Sequence, residues 1–501
     1  MKLPANFLRI ACAATVLLGL SLTETPLHAA ASDRPNIVFI LCDDLGVNDL
    51  RCYGRQDHET PHLDQLAREG MRFTTAYCAQ PICSPSRAGL LTGKAPARLH
   101  LTTYLPGRPD SPAQKLLHPI IRQEVDLSEK SMARYFKEAG YVTAAIGKWH
   151  IGGKGYGPSE HGFDVAYAGR NNTTPSATEG SKGEFGLTRA AEKFIEDHLN
   201  QPFLLYLGHY TPHIPYAATP EETSAHKNAF EPVYAAVISS MDRAVGQLLA
   251  KLDTLHLREN TIVVFTSDNG GLHVPEGPHG RVTHNTPYRA GKGYLYEGGL
   301  RIPLIVRWPG HLAAGVTVDT PIINTGWIPT LLELAGQPVP TGLDAGSFAS
   351  ILKGVGNGPE QTFLWHFPHY NNQGGRPGGA VREGDWKLIE YYDAPDAPEL
   401  YRLTDDIGEQ KNLAARYPDR VRAMRKTLAD WRIAIGAQSN TPNPDFDPAR
   451  YRELYVDFDP SRFDPLHATR DEWAAVQVWR SRMNAAVQAK AGAKAKQPRE
   501  R

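Results

Sequence analysis

Cysteine is scarce in this chain, with five residues in 501. Cys12 falls in a leader-like segment, and the other four, Cys42, Cys52, Cys78 and Cys83, crowd into residues 42–83. Four thiols in one short window are not a disulfide framework; if one has a chemical task, at most one pair is left to form. Net charge is absent too, with 54 basic and 54 acidic residues. No field of one sign draws the chain to nucleic acid or to an anionic membrane. There is no internal repeat and no heptad array, which excludes solenoids and coiled coils. No apolar run reaches the roughly 18 residues of a membrane span. The nearest, Ile10 to Leu22, follows Lys2 and Arg9 and precedes Ala29-Ala30-Ala31. That order reads as a signal peptide over residues 1–31 and predicts export, to the periplasm or the medium. Its removal takes Lys2, Arg9 and Glu24 and leaves 52 basic and 53 acidic residues.

What the chain does have is glycine and proline, 45 and 39 residues, which suits shaped loops that carry function. A hydrophobic content of 41% is ample for a core and excludes a mostly disordered chain. Apolar runs alternate with helical patterns. Asn36–Cys42, Tyr141–Ile146, Phe203–Leu207, Thr261–Phe265 and Pro303–Val306 read as buried strands. Ser128–Ala139, stopped by Gly140, and Pro232–Leu252 read as helices, the second with Val233, Val237, Met241, Val245, Leu248 and Leu252 on one face. This predicts an α/β fold with a large, mostly parallel central sheet flanked by helices. Gly354–Pro359 reads as a domain boundary. Beyond it, Ala380–Tyr392 reads as a hairpin turning at Glu-Gly-Asp and Val421–Trp431 as a helix, giving a smaller α+β domain. The expected division is a large domain over 32–357, the small one over 358–484 and a basic, solvated tail over 485–501.

Four of the strand candidates are followed at once by polar groups: Asp43-Asp44, Gly147-Lys148-Trp149-His150, His209-Tyr210-Thr211-Pro212-His213 and Ser267-Asp268-Asn269-Gly270. Singly, each reads as a turn, a cap or an exposed loop. Together they occupy equivalent places, and in parallel sheets ligands bind beyond the carboxyl ends of the strands. Asp43, Asp44, Asp268 and Asn269 offer only hard oxygen ligands, suited to Ca²⁺ or Mg²⁺ rather than zinc. Calcium, tolerant of irregular geometry, is the favoured ion, and without a cation these carboxylates would repel one another.

Residues Cys83-Ser84-Pro85-Ser86-Arg87-Ala88-Gly89-Leu90-Leu91-Thr92-Gly93 read as a helix start, with Ser84 as N-cap and Pro85 at the first helical position. Cys83 would then sit just before a helix N-terminus, where backbone N–H groups favour anions, with Arg87 adding fixed positive charge. A structural cysteine at a helix cap is the plain alternative.

This segment resembles the signature of the sulfatase family, in which the Cys of Cys-x-Pro-Ser-Arg is oxidised to Cα-formylglycine. Asp43-Asp44, Asp268-Asn269, Gly147-Lys148-Trp149-His150, Thr211-Pro212-His213-Ile214-Pro215 and Gly291-Lys292-Gly293 with Glu297-Gly298-Gly299 are similar to further family motifs, in the family's order. The resemblance implies an alkaline-phosphatase-like large domain and a small C-terminal one. It also implies the chemistry. The hydrated aldehyde at residue 83, itself counted with Asp43, Asp44, Asp268 and Asn269 among the ligands of the metal ion and activated by that ion and Arg87, attacks the sulfur of a sulfate ester. Its second hydroxyl then gives the covalently held sulfate a way out. Lys148 and Lys292 would neutralise the sulfuryl oxygens. His213 would serve as acid for the leaving alcohol and His150 as base for the second hydroxyl.

The resemblance further implies a maturation enzyme acting on the unfolded chain, and a carbohydrate sulfate as substrate, with galactose or N-acetylgalactosamine sulfates suggested. Trp365-His366-Phe367-Pro368-His369-Tyr370, Arg376 and the loop from His279 to Arg289 are candidates for the sugar side. The alternatives are a formylglycine-dependent phosphonate or phosphate ester hydrolase, and a sulfoglycan-binding protein whose Cys83 stays a thiol.

Overall fold

A computed structural model describes residues 34–356, 358 and 362–494. The signal peptide read at residues 1–31 lies outside them, as do residues 357 and 359 of the expected boundary.

The strand Asn36–Asp43 is buried along its whole length and its side chains serve two cores. Ile37, Phe39 and Leu41 face one side of the sheet, and Val38, Ile40 and Cys42 the other. This alternation explains why the run is continuously apolar: both faces are covered. It pairs in parallel with Thr261–Ser267 on one side and Phe203–Pro212 on the other. Val142–Gly147 and then Val165–Tyr167 extend the sheet beyond Phe203–Pro212, again in parallel. On the far side come Arg301–Arg307 and Met71–Tyr77, and the nine-stranded sheet is completed by Val316–Val318 and Ile322–Ile323. All its strands run one way except Arg301–Arg307, which is antiparallel to both neighbours. The helices Pro61–Glu69, Glu184–Asp197 and Pro232–Thr254 cover one face. Cys83–Thr92, Met132–Glu138 and Trp327–Leu334 cover the other. The mostly parallel α/β architecture expected from the sequence is therefore present.

A second sheet is antiparallel, in the order Thr362–Phe367, Gly378–Glu383, Trp386–Tyr391, Glu399–Arg402. The predicted hairpin turns at Gly384-Asp385, with Gly384 at φ 55°. One face of this sheet, Val381, Leu388 and Leu400, packs on the helix Pro418–Ala434 through Val421, Met424 and Leu428. The other face, including Phe363, Trp365, Phe367, Ile389 and Tyr401, merges with the core of the large sheet.

The chain after the helix Pro418–Ala434 does not stay with the small sheet. Tyr451, Leu454, Tyr455, Val476, Trp479 and Met483 return to the large sheet's core. The last helix is Arg470–Lys494, and Val476, Trp479 and Met483 at helical spacing give its first part a face to bury.

Candidate active site

Four adjacent parallel strands end at one edge of the large sheet: Thr261–Ser267, Asn36–Asp43, Phe203–Pro212 and Val142–Gly147. Cys42 pairs with Ser267, so the residues that follow them emerge side by side. Asp43 closes its strand, and Asp44 turns away at φ 65°. Asp44 N–H donates to Asp268 Oδ1 (3.1 Å), and Asn269 Nδ2 donates to Asp44 Oδ1 (2.8 Å). The Phe203 strand runs further than its apolar stretch predicts. His209, Tyr210, Thr211 and Pro212 are part of it rather than a loop after it, and only His213 stands beyond.

The helix Cys83–Thr92 brings the remaining groups. It begins at Cys83 itself, and Ile82 is the N-cap. The expected cap, Ser84, turns its hydroxyl elsewhere and accepts from Leu105 N–H (3.1 Å). Cys83 Sγ lies 3.3 Å from Asp43 Oδ1 and 3.7 Å from Asp44 Oδ1. Burial drives its thiol well above the ordinary thiol range, and Lys148 and Lys292 do not overcome this. One turn on, Arg87 Nε donates to Asp268 Oδ2 (2.8 Å), and Nη1 donates to Lys148 O (3.0 Å) and Tyr206 Oη (3.2 Å). Its Nη2 is 3.7 Å from Asp43 Oδ1 and makes no hydrogen bond among the described residues.

Two lysines close on the two aspartates. Lys148 Nζ is 2.5 Å from Asp43 Oδ2, and Lys292 Nζ is 2.6 Å from Asp44 Oδ2. Burial opposes the charge of Asp43, yet Lys148, His213, Arg87 and Lys292 hold its carboxyl well below the usual carboxylate range. Asp44 is lowered against burial by Lys292 and His213. Asp268 goes the other way: burial, with Asp43 and Asp44 adding to it, pushes it up to about 7 against the pull of Arg87.

His213 faces Asp44, with Nε2 3.5 Å from Oδ2, while its Nδ1 bonds Ile214 O. His150 is held at φ 65°. Its Nε2 lies 3.3 Å from Leu105 O, and its Nδ1 is buried without a hydrogen-bond partner among the described residues. Burial first, then Lys148, brings the His150 imidazole down to about 3, so it is neutral near pH 7.

The structure thus brings together every residue singled out for chemistry: Asp43, Asp44, Cys83, Arg87, Lys148, His150, His213, Asp268, Asn269 and Lys292. Ligand atoms of Asp43, Asp44, Cys83 and His213 lie within 4.8 Å of one another. Asn269 Oδ1 is buried without a hydrogen-bond partner among the described residues. An orphaned amide oxygen beside three carboxylates is a donor set that fits a hard divalent ion.

The expected sugar side is not where the aromatic cluster suggested. Trp365, His366, Phe367, His369 and Tyr370 are all buried. Trp365 Nε1 donates to Cys78 O, His369 meets Thr102, and Tyr370 Oη donates to Asp393. Arg376 pairs with Asp393 (2.6 Å) and borders a different cavity, with Tyr294, Tyr391 and Glu399. In the loop from 279 to 289, His279 stacks on Tyr216, and Arg289 is buried against Tyr296. The opening above the chemical groups is a cleft of about 430 Å³ between Asp43, Lys148, His150 and His213. Its outer wall is Trp149, Asn171, Asn172, Lys182, Tyr210 and Ile214. Asn171, Asn172 and Lys182 were missed in the sequence because their loop has no periodicity to place it.

The sulfatase family model matches residues 35–337 of the chain. The chain belongs to the sulfatase family. A second match, to the N-sulphoglucosamine sulphohydrolase C-terminal family, covers residues 290–433 and so takes in the small sheet and its helix. The N-acetylgalactosamine-6-O-sulfatase of Bacteroides thetaiotaomicron is 29% identical, over 79% of this chain and 93% of that one. Human arylsulfatase A is 32% identical, over 79% of this chain and 87% of that one. Among solved structures, Ps i-CgsB in complex with k-i-k-neocarrahexaose superimposes with a TM-score of 0.68 at 27% identity, covering 90% of this chain and 99% of that one. This sulfatase is accordingly a sulfuric ester hydrolase.

Proposed function

We propose that this sulfatase removes sulfate from carbohydrate esters, using formylglycine made from Cys83 and a calcium ion held by Asp43, Asp44, Asp268 and Asn269. The observation that carries the reading is the place of Cys83. Its Sγ stands 3.3 Å from Asp43 Oδ1 and 3.7 Å from Asp44 Oδ1, at the N-terminus of its helix and among Arg87, Lys148 and Lys292. When present, hydrated formylglycine supplies an oxygen nucleophile with a second hydroxyl, and the cation supplies charge to polarise it and the sulfate.

The chain's own residues do the rest. Arg87 is fixed by Asp268 and Tyr206, so its unbonded Nη2 is preorganised toward residue 83 and Asp43. Lys148 and Lys292 flank the place of the sulfate and neutralise its oxygens. His213 in its protonated form has Nδ1 satisfied by Ile214 O and presents Nε2–H toward the cleft, where it can be given to the leaving alcohol. An incoming sulfate ester favours that form by adding negative charge. His150, neutral, accepts a proton at its unpartnered Nδ1.

A cleft of about 430 Å³ is of a size for sugar rings. Trp149 and Tyr210 offer stacking faces, and Asn171 and Asn172 offer amides to hydroxyls. One relative is named an N-acetylgalactosamine-6-O-sulfatase and one structural neighbour holds a neocarrahexaose, which supports a carbohydrate sulfate; within that class our reading is a galactose or N-acetylgalactosamine sulfate. Cys83 is only 2% exposed in the folded chain. Maturation by a formylglycine-generating enzyme therefore precedes folding, and export through residues 1–31 completes the proposal.

The test is sulfate release, measured in parallel on N-acetylgalactosamine 6-sulfate, p-nitrophenyl sulfate and a phosphonate monoester. The expected order puts the sulfates ahead, and Cys83→Ser abolishes steady turnover. A higher kcat/KM on the phosphonate replaces the reading with the phosphonate hydrolase. Tight sugar binding without any turnover replaces it with the binding protein.

A further inference from the structure

Lys182 lies outside the chemical set but is tied to the backbone of one of its members. It is buried in the wall of the cleft, and its Nζ donates to two backbone carbonyls, His213 O and Pro215 O, at 2.6 Å each. Among the described residues no carboxylate pairs with it. The carbonyl between those two, Ile214 O, is the partner of His213 Nδ1. Three consecutive carbonyls are thus spoken for, the outer two by Lys182 and the inner by the imidazole. Pro212 and Pro215 have no N–H to offer, so this turn has few backbone bonds of its own.

The lysine is itself braced. Its N–H donates to Glu184 Oε2 (2.7 Å), and Ser181 N–H donates to Glu184 Oε1 (2.8 Å) and Ser240 Oγ (3.2 Å). A side chain at Gly180 would strike this carboxylate, its Cβ falling 2.6 Å from Glu184 Cδ. A rigid line therefore runs from the helix Glu184–Asp197 through Lys182 to the peptide that orients the His213 ring.

We infer that Lys182 is a positioning residue: by pinning the carbonyls on both sides of Ile214 it fixes the ring of His213 for proton delivery to the leaving alcohol. The inference rests on His213 being that acid, and the experiment separates the two. Full-length, matured, calcium-loaded protein is assayed on aryl sulfates whose phenols span a range of acidity, as wild type, Lys182→Met, Lys182→Arg, His213→Asn and the double variant Lys182→Met/His213→Asn.

A general acid is worth roughly 10²-fold or more, and most for the poorest leaving groups. Lys182→Met is expected to lose kcat steeply as the phenol becomes less acidic, with a smaller loss on p-nitrophenyl sulfate and a smaller change in KM. Lys182→Arg recovers most of the loss, and the double variant is no worse than His213→Asn alone, because both act through one ring. A steep His213→Asn with a Lys182→Met that loses the same factor on every phenol overturns the role of Lys182 alone. A His213→Asn that is itself flat across the series overturns the acid assignment and, with it, the inference. If Lys182→Met does not fold, Lys182→Gln is read by the same slopes.

Discussion

At the scale of single residues the site packs three buried carboxylates against three cationic side chains. Arg87, Lys148 and Lys292 answer Asp268, Asp43 and Asp44 one for one, yet burial still pushes Asp268 up to about 7. In the metal-free protein that raised value favours the protonated form. The stabilisation it represents is complete below the ordinary carboxylate range and is lost as pH rises through about 7. Metal binding needs the carboxylate and so competes with this proton. Apparent calcium affinity, followed by isothermal titration, is therefore expected to weaken as pH falls through about 7, with proton release on binding. Asp268→Asn should remove most of that pH dependence together with much of the affinity. Affinity that is flat across neutrality, or a variant that binds as the parent does, contradicts the ligand assignment.

At the scale of elements, the segment carrying Lys292 is held by the small sheet. Lys387, on the strand Trp386–Tyr391, reaches Glu297 Oε1 (2.8 Å) and Glu409 Oε1 (2.9 Å), and all three side chains are fully buried. Glu297 also accepts from Tyr77 Oη (2.8 Å) and Arg301 Nε (2.9 Å) on the large sheet. Burial opposes the charge of Glu297, but Lys387 and Arg301 pull its carboxyl far down. For Glu409, burial wins over Lys387, and neighbouring Glu297 adds to it, raising it to about 7. Lys387→Met leaves Glu409 buried without its ion-pair partner and takes one of two cations from Glu297, which keeps Arg301. Loss of one partner of a buried pair costs about 3–5 kcal/mol, so the variant should unfold at markedly lower denaturant and lose activity with it. Unchanged stability would show that the network is not what joins the sheets.

Of this network only Glu297 stood in a motif; Lys387, Glu409 and Arg301 carry no pattern and meet only through the fold. What was legible were the groups that follow continuous apolar runs. Asp43, Lys148 and Asp268 each stand where such a run ends, and the runs are adjacent strands. The strand Met71–Tyr77 was passed over: Arg72, Thr74 and Thr75 interrupt it, and a register shift breaks its pairing. The cluster from Trp365 to Tyr370 misled for the opposite reason. Aromatic and histidine side chains look like a sugar surface, and here they are the seam between two sheets.

At the scale of the whole molecule, the two sheets share a core, the last helix returns to the large sheet, and the charged groups gather at one edge around residue 83. No helix among the described residues is long and apolar enough to cross a membrane. Every part of the proposed activity converges on one atom-level change, the conversion of the Cys83 side chain from –CH₂SH to an aldehyde. The direct measurement is mass analysis of the peptide containing residue 83, from protein whose sulfate release has been assayed in the same preparation. The account predicts the mass loss of that conversion, in a fraction that tracks specific activity across preparations. Unmodified Cys83 throughout a fully active preparation would contradict it.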